Sequence, residues 1–278
     1  MIKYPNILTI AGSDSGGGAG IQADIKTMTV LRAFGMSVIT ALTAQNGTEV
    51  TGIHPVPTDF VALQYKTVQS GFKINAAKTG MLMNSEIMEV LADLLEKRDF
   101  PLVIDPVCVS QSGHALVEDS ALDTIKKKIV PLADLLTPNI PEAYALSGVN
   151  ITNFEQVKDV IRILQGMGAR NVLIKGGHFE SQKDNASPRA MTDWLGLENG
   201  QVIHLAHQRV STPNNHGTGC TLSAAIATNL GLGYKLEEAV RRAQAFLVRA
   251  LEQSFAPGKG AGPVNFLAGA NPAQPFAI

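Results

Sequence analysis

The chain has 278 residues, 45% of them apolar, with 23 Lys plus Arg against 24 Asp plus Glu, a formal charge of −1, and two cysteines. A chain this long buries most of its unfolded surface and needs no disulfide or metal staple, which leaves the two cysteines to packing or chemistry. A balanced charge without a basic run argues against nucleic acid or a membrane surface as partner, because both demand clustered Lys and Arg.

At the N-terminus one lysine precedes a short apolar stretch, 7–11, too brief for a secretory core. No stretch approaches the roughly 18 apolar residues of a spanning helix. The pattern predicts a soluble, cytoplasmic protein. Residues 6–11 read as a buried strand and 22–33 as a helix, with Ile25, Met28 and Leu31 three apart. A strand over 37–44 follows, then a helix over 59–70 with Phe60, Leu63 and Val68 on one side, and a short strand at 76–79. Residues 85–97 carry a strong helical pattern: Ile87, Val90, Leu91, Leu94 and Leu95 make the apolar face and Asn84 the cap. Next come a strand at 102–105, helices near 119–129 and 139–147, a strand near 134–137, a helix at 153–168 and a strand at 171–175. Helices over 220–231 and 235–254 complete the pattern.

Alternating β and α elements imply an α/β fold, a doubly wound, mostly parallel sheet flanked by helices on both faces. Residues 180–200 are polar and turn-rich and read as a surface excursion, and the Gly/Pro-rich chain after Gly258 reads as a loop plus an extended end. No composition shift marks a linker, so residues 1–266 read as one domain and 267–278 as its tail.

Three features carry chemistry. Residues 12–20 hold five glycines in nine positions, directly after a strand and opening a helix. Such a loop lets backbone approach a ligand and leaves amide N–H groups free. It is not an ordinary P-loop, since no G-x-x-x-x-G-K-[ST] exists; residues 18–23 match G-x-G-x-x-A, yet no Asp or Glu follows at 40–46 to meet a ribose. The second feature, residues 214–221, runs small residues straight into an apolar helix, where unpaired N–H groups and the helix dipole favour an anion such as phosphate. Cys220 falls in the first turn of that helix, a position expected to favour its thiolate, although packing alone would also account for a small cysteine there.

The third feature is a set of polar residues at strand ends: Asp105, the Asn139/Glu142 pair and Lys175. In a parallel sheet these gather along the C-terminal edge, where ligands bind, and together they suit Mg²⁺ and phosphates. Other metal patterns are missing. There is no C-x-x-C and no H-E-x-x-H, and His204 and His207 would point to opposite sides of a strand.

The segments 11–24, 43–47 (TAQNG), 78–82 (KTGML), 105–107 (DPV), 136–143 (LTPNIPEA), 175–178 (KGGH) and 216–221 (HGTGCT) resemble, in order, those of hydroxymethylpyrimidine/phosphomethylpyrimidine kinases. These are thiamine-pathway members of the ribokinase-like superfamily, and the match runs from about residue 6 to 266. The resemblance implies a ribokinase-like doubly wound domain, a homodimer, and ATP with Mg²⁺. It places Gly12, Ala19, Gln45, Met81 and Val107 around the pyrimidine, with the Gln45 amide facing a ring nitrogen and the exocyclic amine. Asp105 and Glu142 would organise Mg²⁺ together with Asn139, and Lys175 and Asn139 would meet the ATP phosphates. The N–H groups around Gly217, Thr218 and Gly219 would stabilise the transferred phosphoryl, and Cys220 would position or deprotonate the acceptor hydroxyl. Cys108, Gln111, His114 and Asn215 depart from residues common in that family and bear on fine substrate preference.

The resemblance implies phosphorylation of 4-amino-5-hydroxymethyl-2-methylpyrimidine and of its monophosphate. Three other readings stay open from the residues: a pyridoxine/pyridoxal kinase on the same fold, a dinucleotide-dependent oxidoreductase suggested by 18–23, and a non-catalytic pyrimidine-binding protein.

Overall fold

A computed structural model describes residues 4–108, 119–177 and 190–269. Its strands are β1 (Asn6–Asp14), β2 (Phe34–Gln45), β3 (Val50–Pro55), β4 (Ala76–Thr79), β5 (Leu102–Ile104), β6 (Leu135–Leu136), β7 (Val172–Gly177), β8 (Ala190–Gly196) and β9 (Val202–Gln208). Among the described residues they form one sheet of order β3-β2-β1-β4-β5-β6-β7-β8-β9. The six strands from β2 to β7 in that order run parallel, while β3 at one edge and β8 and β9 at the other add antiparallel pairings.

The helices are α1 (Gly20–Val30), α2 (Thr58–Gly71), α3 (Ser85–Leu95), α4 (Asp119–Thr124), α5 (Ile140–Ser147), α6 (Phe154–Gly166), α7 (Thr218–Gly231), α8 (Leu236–Glu252) and the single turn α9 (Phe266–Gly269). α4 continues into a π-helical turn at Ile125–Ile129.

Side chains alternate across the parallel strands, as the two-residue pleat requires. Leu8, Leu102, Ile104 and Ile174 enter a core with Val61 and Tyr65 of α2, Ile87 and Leu91 of α3, Leu146 of α5 and Val160 of α6. Ile7, Val103 and Leu173 enter the opposite core with Met28 of α1, Ile226 of α7 and Phe246 of α8. Strands buried on both faces read as apolar runs, which is why the sequence alone revealed them. The Asn84 cap forms as expected, its Oδ1 accepting from Ile87 N at 3.0 Å.

Three expectations need correction, and one strand was not anticipated. Residues 190–200 are not a surface excursion: β8 places Trp194 and Leu195 in the cores, and Asp193 is buried as well. Alternating inward residues were hidden by polar neighbours, and residues 180–189 lie outside the described set. The apolar side assigned to α2 is also largely turned to solvent, with Phe60 53% and Leu63 55% exposed while Val61 and Tyr65 are buried. The edge strand β3 was not anticipated, because every residue in it is exposed and no apolar pattern results. Finally, Phe266–Gly269 forms a helical turn, held by the Arg249 guanidinium donating to Gly269 O.

β4 carries one residue that a buried strand should not tolerate unpaired. Lys78 is fully buried; its Nζ donates to Asp24 of α1 at 3.0 Å, and Thr9 Oγ1 donates to the same carboxylate oxygen at 2.6 Å. Removing one partner of such a pair strands a buried charge. Lys78→Ala is therefore expected to lower the unfolding free energy by about 3–5 kcal/mol, read from the urea midpoint, whereas replacing both partners by apolar residues of similar volume should cost far less.

Candidate active site

The C-terminal ends of β5, β6 and β7 bring the predicted polar residues together. Lys175 Nζ lies 2.8 Å from Asp105 Oδ1 and 4.0 Å from Glu142 Oε2. Asn139 and Glu142 form a capping box at the start of α5: Asn139 Oδ1 accepts from Glu142 N at 2.8 Å and Glu142 Oε2 accepts from Asn139 N at 2.9 Å. The cap fixes the Glu142 carboxylate beside the lysine. Burial pushes the Glu142 carboxyl up to about 7, with Lys175 opposing the rise and Asp105 adding to it. Burial alone would lower the Lys175 pKa, but Asp105 and Glu142 outweigh it and hold the ammonium above its ordinary value. Two carboxylates therefore share one cation, a local excess of negative charge suited to a divalent ion.

Mg²⁺ fits these residues by donor chemistry. It favours one or two carboxylates plus water and phosphate oxygens, and Asp105 Oδ2 accepts no hydrogen bond from a described residue. Among the described residues no cluster of three His, Cys, Asp or Glu forms a complete protein cage.

The N-terminus of α7 closes over this group. Gly217 caps it at φ 78°, a left-handed conformation, and a Cβ there would collide with Gly18 O, so only glycine fits. A Cβ on Gly219 would lie 3.4 Å from Asp105 Oδ2 and 3.6 Å from Lys175 Nζ, which measures how closely the helix end meets the ion pair. Thr218 N reaches Asn215 O at a long 3.4 Å, while the amides of Gly219 and Cys220 donate to no described group. The helix end where the sequence pattern led to the expectation of an anion thus presents backbone N–H groups to the cleft. Cys220 faces the same space, but its thiol does not behave as expected. Burial pushes its pKa up to about 11, and Lys78 beneath offsets this only in part. The helix N-terminus loses to desolvation.

The glycine-rich loop also departs from expectation. Its amides are not free: Asp14 Oδ1 accepts from Gly16 N at 2.8 Å, and Oδ2 accepts from Gly18 N at 3.1 Å and Ala19 N at 2.8 Å. His216 Nε2 lies 2.9 Å from the same oxygen. Burial raises the Asp14 pKa, but the hydrogen bonds from His216, Ala19 and Gly16 prevail and hold it below the usual carboxylate value. The loop is thus wrapped round its own anion, which leaves no nest for a pyrophosphate.

A cleft of about 740 Å³ joins these parts, and its lining includes Ala19, Val107, His216 and Cys220 as well as Met191, Asp193, His207 and Arg209. Val107 sits at φ 36°, rare for a β-branched residue and a sign of backbone strain at the cleft wall. Gly12, Gln45 and Met81 stand just outside the cleft lining. Met81 covers Gly12, where a Cβ would lie 2.5 Å from its Cε, and Gln45 Nε2 is 3.4 Å from His216 Nε2.

Sequence reasoning missed three sets of residues here. They are the Asp14–His216 pair, the Asp24–Lys78 pair beneath Cys220, and Asp193, which accepts from Gly176 N and from Gln244 Nε2 and lies 3.3 Å from His207 Nε2. Charged residues inside glycine-rich or wholly apolar segments were the available signal for the first two. Asp193 gave none, because its strand went unrecognised. His204 and His207 do face opposite sides of β9: the His204 ring packs tilted against Phe154, whereas His207 meets Asp193. Gln111, His114 and His178 lie outside the described residues.

A parallel sheet with a cation, two carboxylates and a helix N-terminus converging at its C-terminal edge is the arrangement of a phosphate-handling α/β enzyme. The family model for phosphomethylpyrimidine kinase matches residues 14–265. A hydroxymethylpyrimidine/phosphomethylpyrimidine kinase of Haemophilus influenzae is 44% identical over 266 residues, which cover 95% of this chain and 97% of that protein. A solved phosphomethylpyrimidine kinase from Clostridium difficile aligns with TM-score 0.77 and 37% identity over 89% of this chain and 99% of that one. A pyridoxal kinase from Bacillus subtilis, solved in complex with ADP, aligns with TM-score 0.85 and 32% identity over 96% and 98%. The chain belongs to the phosphomethylpyrimidine kinase family and is a phosphotransferase, which removes the oxidoreductase reading of residues 18–23.

The raised thiol pKa has a direct consequence, because only the thiolate is alkylated. Iodoacetamide at pH 8 is expected to modify Cys220 roughly 10²-fold more slowly than free cysteine, with the rate rising as the pH approaches the thiol's own value. Peptide mass spectrometry separates Cys220 from Cys108, whose thiol burial pushes up to about 12.

Proposed function

We propose that the enzyme transfers the γ-phosphoryl of ATP to the hydroxymethyl oxygen of 4-amino-5-hydroxymethyl-2-methylpyrimidine, and then phosphorylates the monophosphate to the diphosphate used in thiamine synthesis. The observation that carries this reading is the meeting of the α7 N-terminus with the Asp105–Lys175 pair, 3.4 and 3.6 Å from the Gly219 Cβ position. A transferred phosphoryl at that point would face backbone N–H groups and one ammonium.

The roles follow from position. Lys175, with Asn139 beside it, meets the ATP phosphates, and Asp105 and Glu142 hold Mg²⁺, which when bound neutralises phosphate charge. The N–H groups around Gly217, Thr218 and Gly219 take up charge on the equatorial oxygens. Gly12, Ala19, Gln45, Met81 and Val107 form the acceptor pocket. The apolar residues of the cleft lining, Met191, Val210, Leu247 and Leu251, suit a nucleotide base. Cys220, protonated at neutral pH, acts by positioning the acceptor hydroxyl rather than as a base. Phosphoryl transfer is loose, so alignment matters more than early proton removal; the acceptor O–P bond forms, the bond to ADP breaks, and the hydroxyl proton passes late to an oxygen of the transferred phosphoryl.

The chain reads as one cytoplasmic domain over 1–266 with a tail at 267–278, acting without nucleic acid or membrane; among the described residues no helix is long and apolar enough to cross a bilayer. It also reads as a homodimer. Leu42, Val50, Ile53, Phe60 and Leu63 on β2, β3 and α2 are 46–55% exposed, an apolar face that a second copy would cover. The higher TM-score to a pyridoxal kinase favours one second reading, a pyridoxal acceptor in the same pocket.

A coupled ADP assay against both heterocycles, with product mass counting the phosphates, tests the reading. The aminopyrimidine is expected to be the faster substrate and to gain two phosphates, and faster turnover of pyridoxal would overturn the acceptor assignment. Cys220→Ala is expected to lower kcat about 10²-fold with little change in acceptor affinity, the loss a mispositioned nucleophile produces. Gln45→Leu should do the reverse, raising the acceptor KM with turnover at saturation nearly kept.

A further inference from the structure

The Asp14–His216 pair lies next to the acceptor pocket without touching the reacting groups, and its proton inventory reaches Gln45. An ionised carboxylate only accepts hydrogen bonds. Asp14 Oδ2, 2.9 Å from His216 Nε2, therefore requires the imidazole proton on Nε2. That nitrogen is also 3.4 Å from Gln45 Nε2, so a donor would face a donor. Thr43 shows the same conflict from the other end. Its hydroxyl proton goes to Ser13 O at 2.9 Å, which leaves Thr43 Oγ1 to accept, yet Gln45 Oε1 lies 3.3 Å from it, acceptor against acceptor. Oxygen and nitrogen of a side-chain amide are interchangeable in shape, and the network decides between them. A half-turn of the amide resolves both conflicts together: the oxygen takes the longer arm of a bifurcated Nε2–H bond whose main acceptor is Asp14 Oδ2, and the NH₂ donates to Thr43 Oγ1.

From this we infer that Asp14 and His216 are positioning residues that fix the orientation of the Gln45 amide, and so determine the donor/acceptor pattern shown to the acceptor heterocycle. The proposal rests on the reading that Gln45 meets that ring. Asp14 is itself held rigidly. Three loop amides bind its carboxylate, and His216 is anchored from behind, its own N donating to Gly262 O at 3.1 Å. With one amide hydrogen and one lone pair committed to Thr43 and His216, Gln45 keeps one donor and one acceptor for a ligand. An aminopyrimidine edge, with a ring nitrogen beside an exocyclic amine, needs one of each.

The decisive measurements are a tautomer assignment and a mutant cycle. Nitrogen-15 NMR of the full-length protein is expected to show His216 protonated on Nε2, and a neutral Nδ1–H form would overturn the relay. Asp14→Asn keeps shape but removes the negative charge that holds that proton on Nε2. It is expected to raise the KM and calorimetric Kd for the aminopyrimidine about tenfold while leaving the KM for ATP near wild type, the size of one mispaired polar contact. His216→Gln, which retains a donor, should keep more affinity than His216→Phe. In a Gln45→Met background Asp14→Asn should add little, since pathway partners are non-additive. Equal losses in both backgrounds, or a fall in melting temperature with acceptor affinity unchanged, would make Asp14 a structural residue only. If the wild-type enzyme bound neither heterocycle, the substrate reading would fail while the NMR result still judged the tautomer.

Discussion

Two backbones meet at the centre of this protein with no room for a side chain between them. Gly217 approaches Gly18 O so closely that a Cβ would overlap it, and Gly18 in turn packs on the His216 ring. The contact brings the loop after β1 and the start of α7, some two hundred residues apart in the chain, into one body. The Asp14 carboxylate completes it by binding donors from both sides. The placement of Ala19, Cys220, Gln45 and the α7 amides relative to one another depends on this junction, because none of them is fixed by its own secondary structure alone.

Electrostatics in the cleft rests on a mismatch. Lys175 stands between Asp105 and Glu142, so two carboxylates face one cation; burial pushes the Glu142 carboxyl up to about 7, Lys175 opposes the rise and Asp105 adds to it. A cleft with surplus negative charge next to a helix N-terminus separates two kinds of partner, a cation near the carboxylates and an anion near the amides. Mg²⁺ and a phosphate together satisfy both. Cys220 sits between these regions but over the neutral Asp24–Lys78 pair, so burial governs its proton and leaves it suited to alignment.

Other polar clusters do not share this imbalance. At the opposite edge of the strands a cavity of about 570 Å³ is ringed by Arg98, Asp134, Arg170 and Glu198, yet Asp134 accepts from Arg98 at 2.9 Å and from Arg170 at 3.1 Å. Its charges are paired with one another and stabilise the strand starts. The edge strand β3 and the exposed side of α2 instead carry unpaired apolar surface, which is why periodicity misassigned α2: Phe60 and Leu63 follow a helical spacing but do not face this chain's own core.

Local sequence alone settled the alternating elements, the cap of α3, the polar residues at the ends of β5 to β7, and the glycine-rich entry into α7. Each of these is a local property, set by side-chain period, capping chemistry or glycine content over a few neighbouring residues. Tertiary structure alone decided the protonation of Cys220, the occupation of the glycine loop by Asp14, the burial of Asp193 on an unrecognised strand, and the orientation of Gln45. These depend on burial and on partners distant in the chain, such as His216 for Asp14 and Lys78 for Asp24, and desolvation and long-range hydrogen bonds leave no periodic trace in a sequence.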